Sequence, residues 1–153
     1  MIETQKCGRF FLTYGRGVSG SPNKHGVFDY DKLDGHAFEE FCADLLRYNG
    51  FCDVQVTPGS GDFGIDILGN FKGTAYAIQC KCYANTVGNK AVQEVYTGKT
   101  FYHCKKAVVI TNNYFTVAAE ETARMTDVEL WDRGRLNDLY HNALRNGYIQ
   151  RNY

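Results

Sequence analysis

No stretch of the 153 residues is apolar for long enough to cross a lipid bilayer, so a membrane-spanning protein is not expected. The first residues lack the basic start, apolar middle and small-residue cleavage site of a signal peptide, which argues against secretion. An excess of charge is also missing. The 17 basic residues balance 17 acidic ones, so composition by itself gives no argument for nucleic-acid binding. We therefore expect a soluble, cytoplasmic protein.

The six cysteines contain no CxxC pair and are irregularly spaced, and the four histidines are scattered. Structural zinc sites and disulfide frameworks both have characteristic spacings, so neither is favoured by this pattern. A chain of this length can bury a core without such supports. Free thiols in a reducing compartment fit better, although Cys80 and Cys82 could supply half of a zinc site.

The length fits one domain that follows a glycine-rich segment. Residues 1–32 are predicted to form an N-terminal arm or an edge hairpin, with a strand-like stretch at 10–14. Residues 33–146 carry the periodic apolar patterns of a folded domain. Residues 147–153 are predicted to be a C-terminal tail.

The periodicity of apolar residues predicts both helices and strands. A helix with apolar residues at i, i+3 and i+4 spacing is predicted from a cap at Asp34 to about Asn49, and Gly50 can end it. The other predicted elements are strands at 51–57, 65–68 and 75–82, a helix at 89 to about 103, a strand at 105–111, a helix at 116–125 on the far side of the sheet, a strand at 128–131 and a helix at 135 to about 145. The first three strands resemble a meander whose second connection is residues 69–73. The apolar run at 105–111 is typical of a strand buried on both faces, which implies a crossover to parallel pairing.

Charge is unevenly distributed along the chain. Between residues 71 and 106, six lysines stand against Glu94 alone, a net charge of +5. Residues 29–66 hold nine acids against Lys32 and Arg47, a net charge of −7. An acidic block beside a basic block suits a site that binds both a cation and a polyanion, and solvated surfaces produce the same pattern.

Polar side chains interrupt two of the predicted strands. In strand 75–82 the two-residue period places Gln79 and Lys81 on one face, and Cys80 with its apolar neighbours on the other. A buried amide or ammonium without a partner costs several kcal/mol. The preceding strand offers a partner in Asp66, which lies between two isoleucines. We therefore expect Asp66, Gln79 and Lys81 to meet on one surface of a hairpin.

A carboxylate, an amide oxygen and a lysine in one place fit phosphodiester hydrolysis. Mg²⁺ prefers octahedral oxygen coordination and keeps several waters, so Asp66, the amide oxygen of Gln79 and the carbonyl of Cys80 would suffice as protein ligands. The cation would polarise a phosphate and lower the pKa of bound water. Lys81 would orient or deprotonate that water and counter the growing negative charge.

The order of these residues resembles that of the PD-(D/E)xK nuclease superfamily, and within it the Mrr-like restriction endonuclease branch. The segments that carry the resemblance, over roughly residues 33–139, are Phe38-Glu39, Gly64-Ile65-Asp66, Gln79-Cys80-Lys81, residues 108–111, Phe115-Thr116 and Ala118-Ala119. In that branch glutamine commonly stands at the position of Gln79, where other members of the superfamily have an acid.

This resemblance implies an α/β fold with a restriction-endonuclease-like αβββαβ core, in which helices flank a mixed central sheet and residues 33–146 form the catalytic domain. It implies a metal-dependent DNA endonuclease of the restriction or defence type, with Mg²⁺ or Mn²⁺ as cofactor. Asp66 would be the principal metal ligand and Gln79 the second. Lys81 would be the catalytic lysine, and Glu39 would reach the metal from its helix. No proline precedes Asp66, and the neutral Gln79 should bind a cation less tightly than an acid would.

These residues also have plainer interpretations. Asp66 and Lys81 could form a structural cross-strand pair with Gln79 as their hydrogen-bond partner. Only one of Glu39 and Glu40 can point inward, and either could lie on a solvated helix face; the resemblance selects Glu39.

The glycine-rich run at 59–64 precedes a strand and lacks the GK[ST] ending of a phosphate-binding loop, which excludes that interpretation. Within it, Asp62 is more typical of a turn former than of an acid that supports the site.

DNA is the expected partner. The candidate phosphate contacts, each of which could equally serve surface solubility, are Lys90, Lys99, Lys105 and Lys106. No second DNA-binding domain is recognisable, so cleavage is expected to depend on DNA structure, DNA modification or a separate recognition subunit. A homodimer would supply the two sites that duplex cutting needs. The alternatives are a catalytically degenerate DNA-binding or dimerisation module of the same fold, and a protein-interaction scaffold.

Overall fold

The structure, a computed structural model, describes residues 28–59, 61 and 63–153. Most of the arm predicted for residues 1–32, including the strand at 10–14, lies outside these residues, as does Asp62. The elements are a 3-10 helix (Tyr30–Lys32), α1 (Gly35–Tyr48), β1 (Cys52–Val56), β2 (Ile67–Phe71), β3 (Thr74–Lys81), α2 (Asn89–Phe101), β4 (Lys106–Thr111), α3 (Val117–Thr126), β5 (Val128–Trp131) and α4 (Arg133–Arg145). In this part of the chain no helix has the length and apolar character that a membrane span requires.

The five strands form one mixed sheet in the order in which they occur along the chain. β1, β2 and β3 pair antiparallel, and β3, β4 and β5 pair parallel. Helices cover both faces of this sheet. The predicted α/β class and αβββαβ core are therefore confirmed.

The hairpin between β2 and β3 closes through Lys72 and Gly73, whose φ angles are 49° and 79°. Two positive φ angles characterise the type I′ turn that matches the twist of adjacent strands. The predicted bounds of the strand at 65–68 and of the connection at 69–73 are wrong, because β2 spans Ile67–Phe71. Gly69 belongs to β2 rather than to the turn, and its missing side chain leaves room for Phe51, whose Cδ1 would lie 3.4 Å from an added Cβ.

Side-chain alternation divides the core into two layers. Ile67, Ile78, Val108 and their neighbours pack under α1 and α4. Ala107, Val109 and their neighbours pack under α2 and α3. The prediction that the helix at 116–125 lies on the far side of the sheet is wrong, because strand order follows chain order and successive right-handed crossovers place both helices on one face.

Helix α1 begins and ends as its sequence predicts. The Asp34 side chain accepts a hydrogen bond of 2.8 Å from the Ala37 amide, which satisfies one of the helix's unpaired N–H groups. Gly50 follows the last turn with a φ of 91°, a conformation that favours glycine. Between these ends, the apolar side of the helix is buried in the core.

The C-terminal residues pack back onto α1. Tyr153 donates a hydrogen bond of 2.7 Å to the buried Asp44 carboxylate, which also accepts hydrogen bonds from Arg47 and Arg151. Tyr148, on the same segment, is buried. A buried carboxylate is costly unless it is paired in this way, so these bonds hold the end of the described chain against the domain.

An ion pair joins the start of the described chain to α4. Both terminal nitrogens of the Arg133 guanidinium donate to the Asp31 carboxylate at 2.8 Å, and Asn112 donates to the same carboxylate at 2.9 Å. This pairing lowers the pKa of Asp31, chiefly through the hydrogen bonds from Arg133. The cluster connects the 3-10 helix, the end of β4 and the first turn of α4.

We predict that Asp31→Asn lowers the free energy of unfolding at neutral pH by about 1 kcal/mol, a value limited by solvent screening of the pair. A carboxylate whose pKa is lower in the folded protein stabilises the fold at pH values above its pKa in the unfolded chain, about 3.9. That stabilisation is lost as the pH falls through the pKa of the folded protein. The stabilities of the two proteins in urea unfolding should therefore converge as the pH falls through the folded pKa of Asp31. A difference that persists undiminished in acid would contradict this assignment.

Gly98 allows α2 to approach the segment that precedes β2. A Cβ at this position would overlap two atoms of the Ile65 side chain and would lie 3.1 Å from the Phe63 carbonyl oxygen. Because the core is close-packed, any side chain here must displace the helix or the segment.

We predict that Gly98→Ala lowers the free energy of unfolding by about 1–3 kcal/mol, the usual cost of overpacking, despite the better helix propensity of alanine. Thermal or urea unfolding measures this change. Gly35→Ala is the control, because among the described residues an added Cβ there meets nothing within 4 Å. Equal stability of the two variants would argue against the close contact at Gly98.

Candidate active site

The candidate site begins where β3 extends past β2. The β2–β3 pairing ends at Ile67 and Ile78, whereas β3 continues to pair with β4 as far as Lys81. The backbone N–H of Cys80 is therefore directed to an edge without a β2 residue opposite. It donates to the Asp66 carboxylate at 2.7 Å, so the aspartate side chain takes the place of the missing strand.

Asp66, Gln79 and Lys81 line one open cavity of about 650 Å³. The hairpin register brings Asp66 beside β3, and strand alternation turns the other two side chains toward α2. The remaining lining residues come from the segment before β2 and from α2: Phe63, Gly64, Lys90, Gln93, Glu94 and Thr97. The three residues thus line the same cavity, and their catalytic roles stay predictions.

Gln79 is completely buried and its amide has a defined orientation. The amide nitrogen donates to a Glu94 carboxylate oxygen at 2.9 Å, and a carboxylate without a proton can only accept. The amide oxygen must therefore face away from Glu94. No residue in the described part of the chain donates to that oxygen, and a buried acceptor left unpaired costs about 1–3 kcal/mol. A cation beside it would satisfy it.

Glu94 is the residue of this cavity that the sequence interpretation missed. One carboxylate oxygen of Glu94 lies 3.8 Å from the Lys81 ammonium nitrogen, and the other lies 3.7 Å from the Lys90 ammonium nitrogen. A signal was present, because Glu94 stands three residues after Ala91 and four before Gly98, both on the buried stripe of α2. An acid at such a position needs a partner inside the fold.

Gly64 lies over the Gln79–Glu94 hydrogen bond. A Cβ at Gly64 would lie 2.8 Å from the Gln79 amide nitrogen and 3.3 Å from the Glu94 Cβ. The φ angle of 73° also favours glycine. Both the backbone conformation and the close approach therefore require glycine here.

Cys80 contributes its backbone to the site and its side chain to the opposite layer. The N–H and C=O of one strand residue point to the same edge, so the Cys80 carbonyl faces the side occupied by Asp66. Burial raises the pKa of the Cys80 thiol well above its usual range. The neighbouring Cys42 and the charges of Asp66 and Glu39 raise it further.

Glu39 does not line the cavity. Its carboxylate lies 3.4 Å from the His36 imidazole on the same helix. Its charge acts on Cys80, whose side chain belongs to the α1 layer, so Glu39 approaches β3 from the face opposite Gln79. The metal-ligand role that the resemblance implies for Glu39 stays a prediction.

The donors at the site are oxygens. Within residues 28–59, 61 and 63–153, no three His, Cys, Asp or Glu side chains come together as a metal-binding cluster. The expected ligand set differs from such a cluster, because it combines one carboxylate with an amide oxygen and a backbone carbonyl. Oxygen donors of this kind suit Mg²⁺ or Mn²⁺, which are hard cations that keep part of their water shell.

The four lysines predicted to contact DNA are not gathered in one place. Lys90 lines the cavity. Lys106 pairs in register with Tyr76, five residues before Lys81 along β3, and its ammonium forms an ion pair of 3.1 Å with Asp127. At about 3.3 Å per residue, Lys106 begins β4 roughly 16 Å from Lys81, and Lys105 directly precedes the strand. The Lys99 ammonium lies 5.0 Å from the centre of the Tyr96 ring.

The family comparison gives a match over most of the domain. The model of the Mrr catalytic family, described as "Restriction endonuclease", matches residues 30–140. No curated protein is similar enough to the chain to count as a match.

Two solved structures are similar in fold. The "Crystal Structure of Protein of Unknown Function AF1548" has 19% identity and a TM-score of 0.56, over 65% of this chain and 58% of that one. The "DNA modification-dependent restriction endonuclease AspBHI" has 23% identity and a TM-score of 0.57, over 71% of this chain and 31% of that one. The chain thus corresponds to only part of each, and at these identities the likeness concerns the fold.

We predict that Gly64→Ala affects the site in two ways, through backbone strain at a positive φ and through a direct clash with Gln79. Its Cβ would displace the Gln79 amide, so divalent-metal binding should weaken at least about tenfold, as loss of a supporting contact does elsewhere. Gly61→Ala is a matched control, since its φ of 72° carries the same strain and its Cβ meets nothing within 4 Å among the described residues. Isothermal titration with Mn²⁺ compares the two, and equal affinities would refute the contact.

Proposed function

Since the chain belongs to the restriction endonuclease family, we propose that it is a divalent-metal-dependent endonuclease that hydrolyses phosphodiester bonds in DNA. The observation that carries this proposal is the buried, unpaired amide oxygen of Gln79, a residue that lines one cavity together with Asp66 and Lys81. An acceptor oxygen, a carboxylate and an ammonium around open space suit a cation and a phosphate together.

Asp66, Gln79 and the Cys80 carbonyl would hold Mg²⁺ or Mn²⁺. When bound there, the cation supplies positive charge that polarises the phosphate and makes water more acidic. The Cys80 N–H fixes one Asp66 oxygen at 2.7 Å, so the carboxylate is oriented before any ligand arrives. Such preorganisation lowers the cost of binding. Glu39, on the other side of β3, is proposed to add negative charge rather than to line the cavity.

Lys81 is proposed to act on the attacking water. Water attacks phosphorus, one phosphorus–oxygen ester bond breaks, and the leaving sugar oxygen takes up a proton. The Lys81 ammonium lies at the cavity wall with about a fifth of its side chain exposed, where it can orient the water and counter the charge that develops on the phosphate.

DNA is the proposed substrate, with Lys90 as the phosphate contact nearest to the reacting groups. The other three candidate lysines do not line the cavity, and they would contact only DNA that extends over the protein surface beyond it: Lys99, Lys105 and Lys106. We propose that a homodimer would supply the two sites that duplex cutting needs, because the residues in the described part of the chain form one fold around one candidate site. DNA structure, DNA modification or a separate recognition subunit would then determine where cleavage occurs. The described cysteines carry free thiols, in keeping with a reducing cytoplasm.

A catalytically degenerate DNA-binding module is the second candidate. The absence of a cluster of three ligating His, Cys, Asp or Glu side chains among the described residues favours it, since a site with one carboxylate and a neutral amide binds cations weakly. DNA binding without cleavage in any divalent metal would support this alternative over the nuclease.

We predict that the protein cuts DNA in Mg²⁺ or Mn²⁺, and that Asp66→Asn and Lys81→Ala each slow cleavage at least about 100-fold. Asparagine can still accept the Cys80 N–H, so the first variant should remain folded. Plasmid nicking under single-turnover conditions measures the rates, and circular dichroism confirms folding.

Two controls change the same residue types away from the cavity. Lys72→Ala alters the turn at the other end of the hairpin, and Asp53→Asn alters an exposed acid on β1. Both should keep the parental rate. Cleavage that survives in Asp66→Asn and Lys81→Ala would disprove the proposed site.

A further inference from the structure

Glu94 holds a position that the proposed ligand set leaves unexplained. Its carboxylate accepts a hydrogen bond from the Gln79 amide and lies near the ammonium groups of Lys81 and Lys90. About one-third of the Glu94 side chain is exposed. Gln79 and Lys81 approach the same oxygen, at 2.9 Å and 3.8 Å.

An amide has two chemically different ends of nearly equal size. Only its oxygen can bind a cation, so a glutamine ligand works in one of its two orientations, whereas either oxygen of a glutamate would serve. In this structure Glu94 favours one orientation of Gln79, because its carboxylate accepts a hydrogen bond from the amide nitrogen and would repel the amide oxygen.

We propose that Glu94 is a positioning residue that orients the Gln79 amide, with its oxygen toward the cation and its nitrogen toward α2. This inference rests on the proposed function, because it concerns the same cation-binding oxygens. Gly64 supports the arrangement, since the missing Cβ leaves room for the hydrogen bond. Lys81 and Lys90 lie beside the carboxylate and keep it over Gln79.

A double-mutant cycle tests this role through metal binding, without reference to cleavage. Glu94→Ala in the parent chain should weaken Mn²⁺ binding about tenfold, as loss of a residue that orients a ligand does elsewhere. In a Gln79→Glu background either oxygen of residue 79 can bind the cation, so its orientation no longer matters. Glu94→Ala should then change the Mn²⁺ affinity less than about twofold, or increase it by relieving repulsion between two acids. Paramagnetic resonance of free Mn²⁺ gives the affinities.

Two further variants support the cycle. Glu94→Gln keeps an oxygen that can accept from the Gln79 amide and should retain most of the affinity. Thr100→Ala shortens an exposed side chain of the same helix outside the cavity and should leave the affinity unchanged. Thermal unfolding of each variant shows that the site is compared in folded proteins.

An equal loss on Glu94→Ala in both backgrounds would overturn the proposal, because a carboxylate that acts through its charge or through packing costs the same with either residue at 79. A loss in Glu94→Gln as large as that in Glu94→Ala would overturn it as well, as would a parent chain that binds no Mn²⁺. Intact metal binding with the expected cycle but no DNA cleavage would count against the nuclease and leave the role of Glu94 standing.

Discussion

The site depends on one mismatch in strand length. β3 continues beyond the end of β2, and a backbone N–H at that edge needs an acceptor because an unpaired buried group is costly. The Asp66 carboxylate supplies it through the Cys80 N–H. The same contact that completes the sheet therefore also fixes the carboxylate at the mouth of the cavity, beside the side chains that β3 carries past its partner.

Helix α2 provides the second half of the arrangement. Two glycines let it lie close to the polypeptide before β2: Gly98 on the helix, against Ile65, and Gly64 on the segment, against the Gln79–Glu94 pair. Packing and electrostatics thus depend on each other. A displacement of α2 by about 1 Å away from β3 would break the hydrogen bond of 2.9 Å between Glu94 and Gln79, because such bonds require close approach.

Local patterns in the sequence predict much of this structure. The cap at Asp34, the mixed sheet, and the alternation that places Gln79 and Lys81 on one face all follow from periodicity and end signals. The predicted connection at 69–73 contains the turn at Lys72 and Gly73 but begins too early, because Gly69 resembles a turn residue although it lies in β2 beside Phe51. The helical spacing of α2 indicates only that Glu94 lies beside the buried stripe. Its contact with Gln79 joins residues that are 15 positions apart and depends on how α2 packs, so the sequence does not identify that partner.

The turn at Lys72 and Gly73 also bears on the order of assembly. A tight hairpin closes in about 1–10 μs, because little loop entropy is lost when neighbouring segments meet. Asp66 and the end of β3 belong to that hairpin, whereas parallel pairing with β4 requires a whole intervening helix to be placed. Asp66 and Gln79 can therefore come together as a local unit during folding. Glu94 joins them only when α2, the helix of the crossover to β4, packs against the sheet.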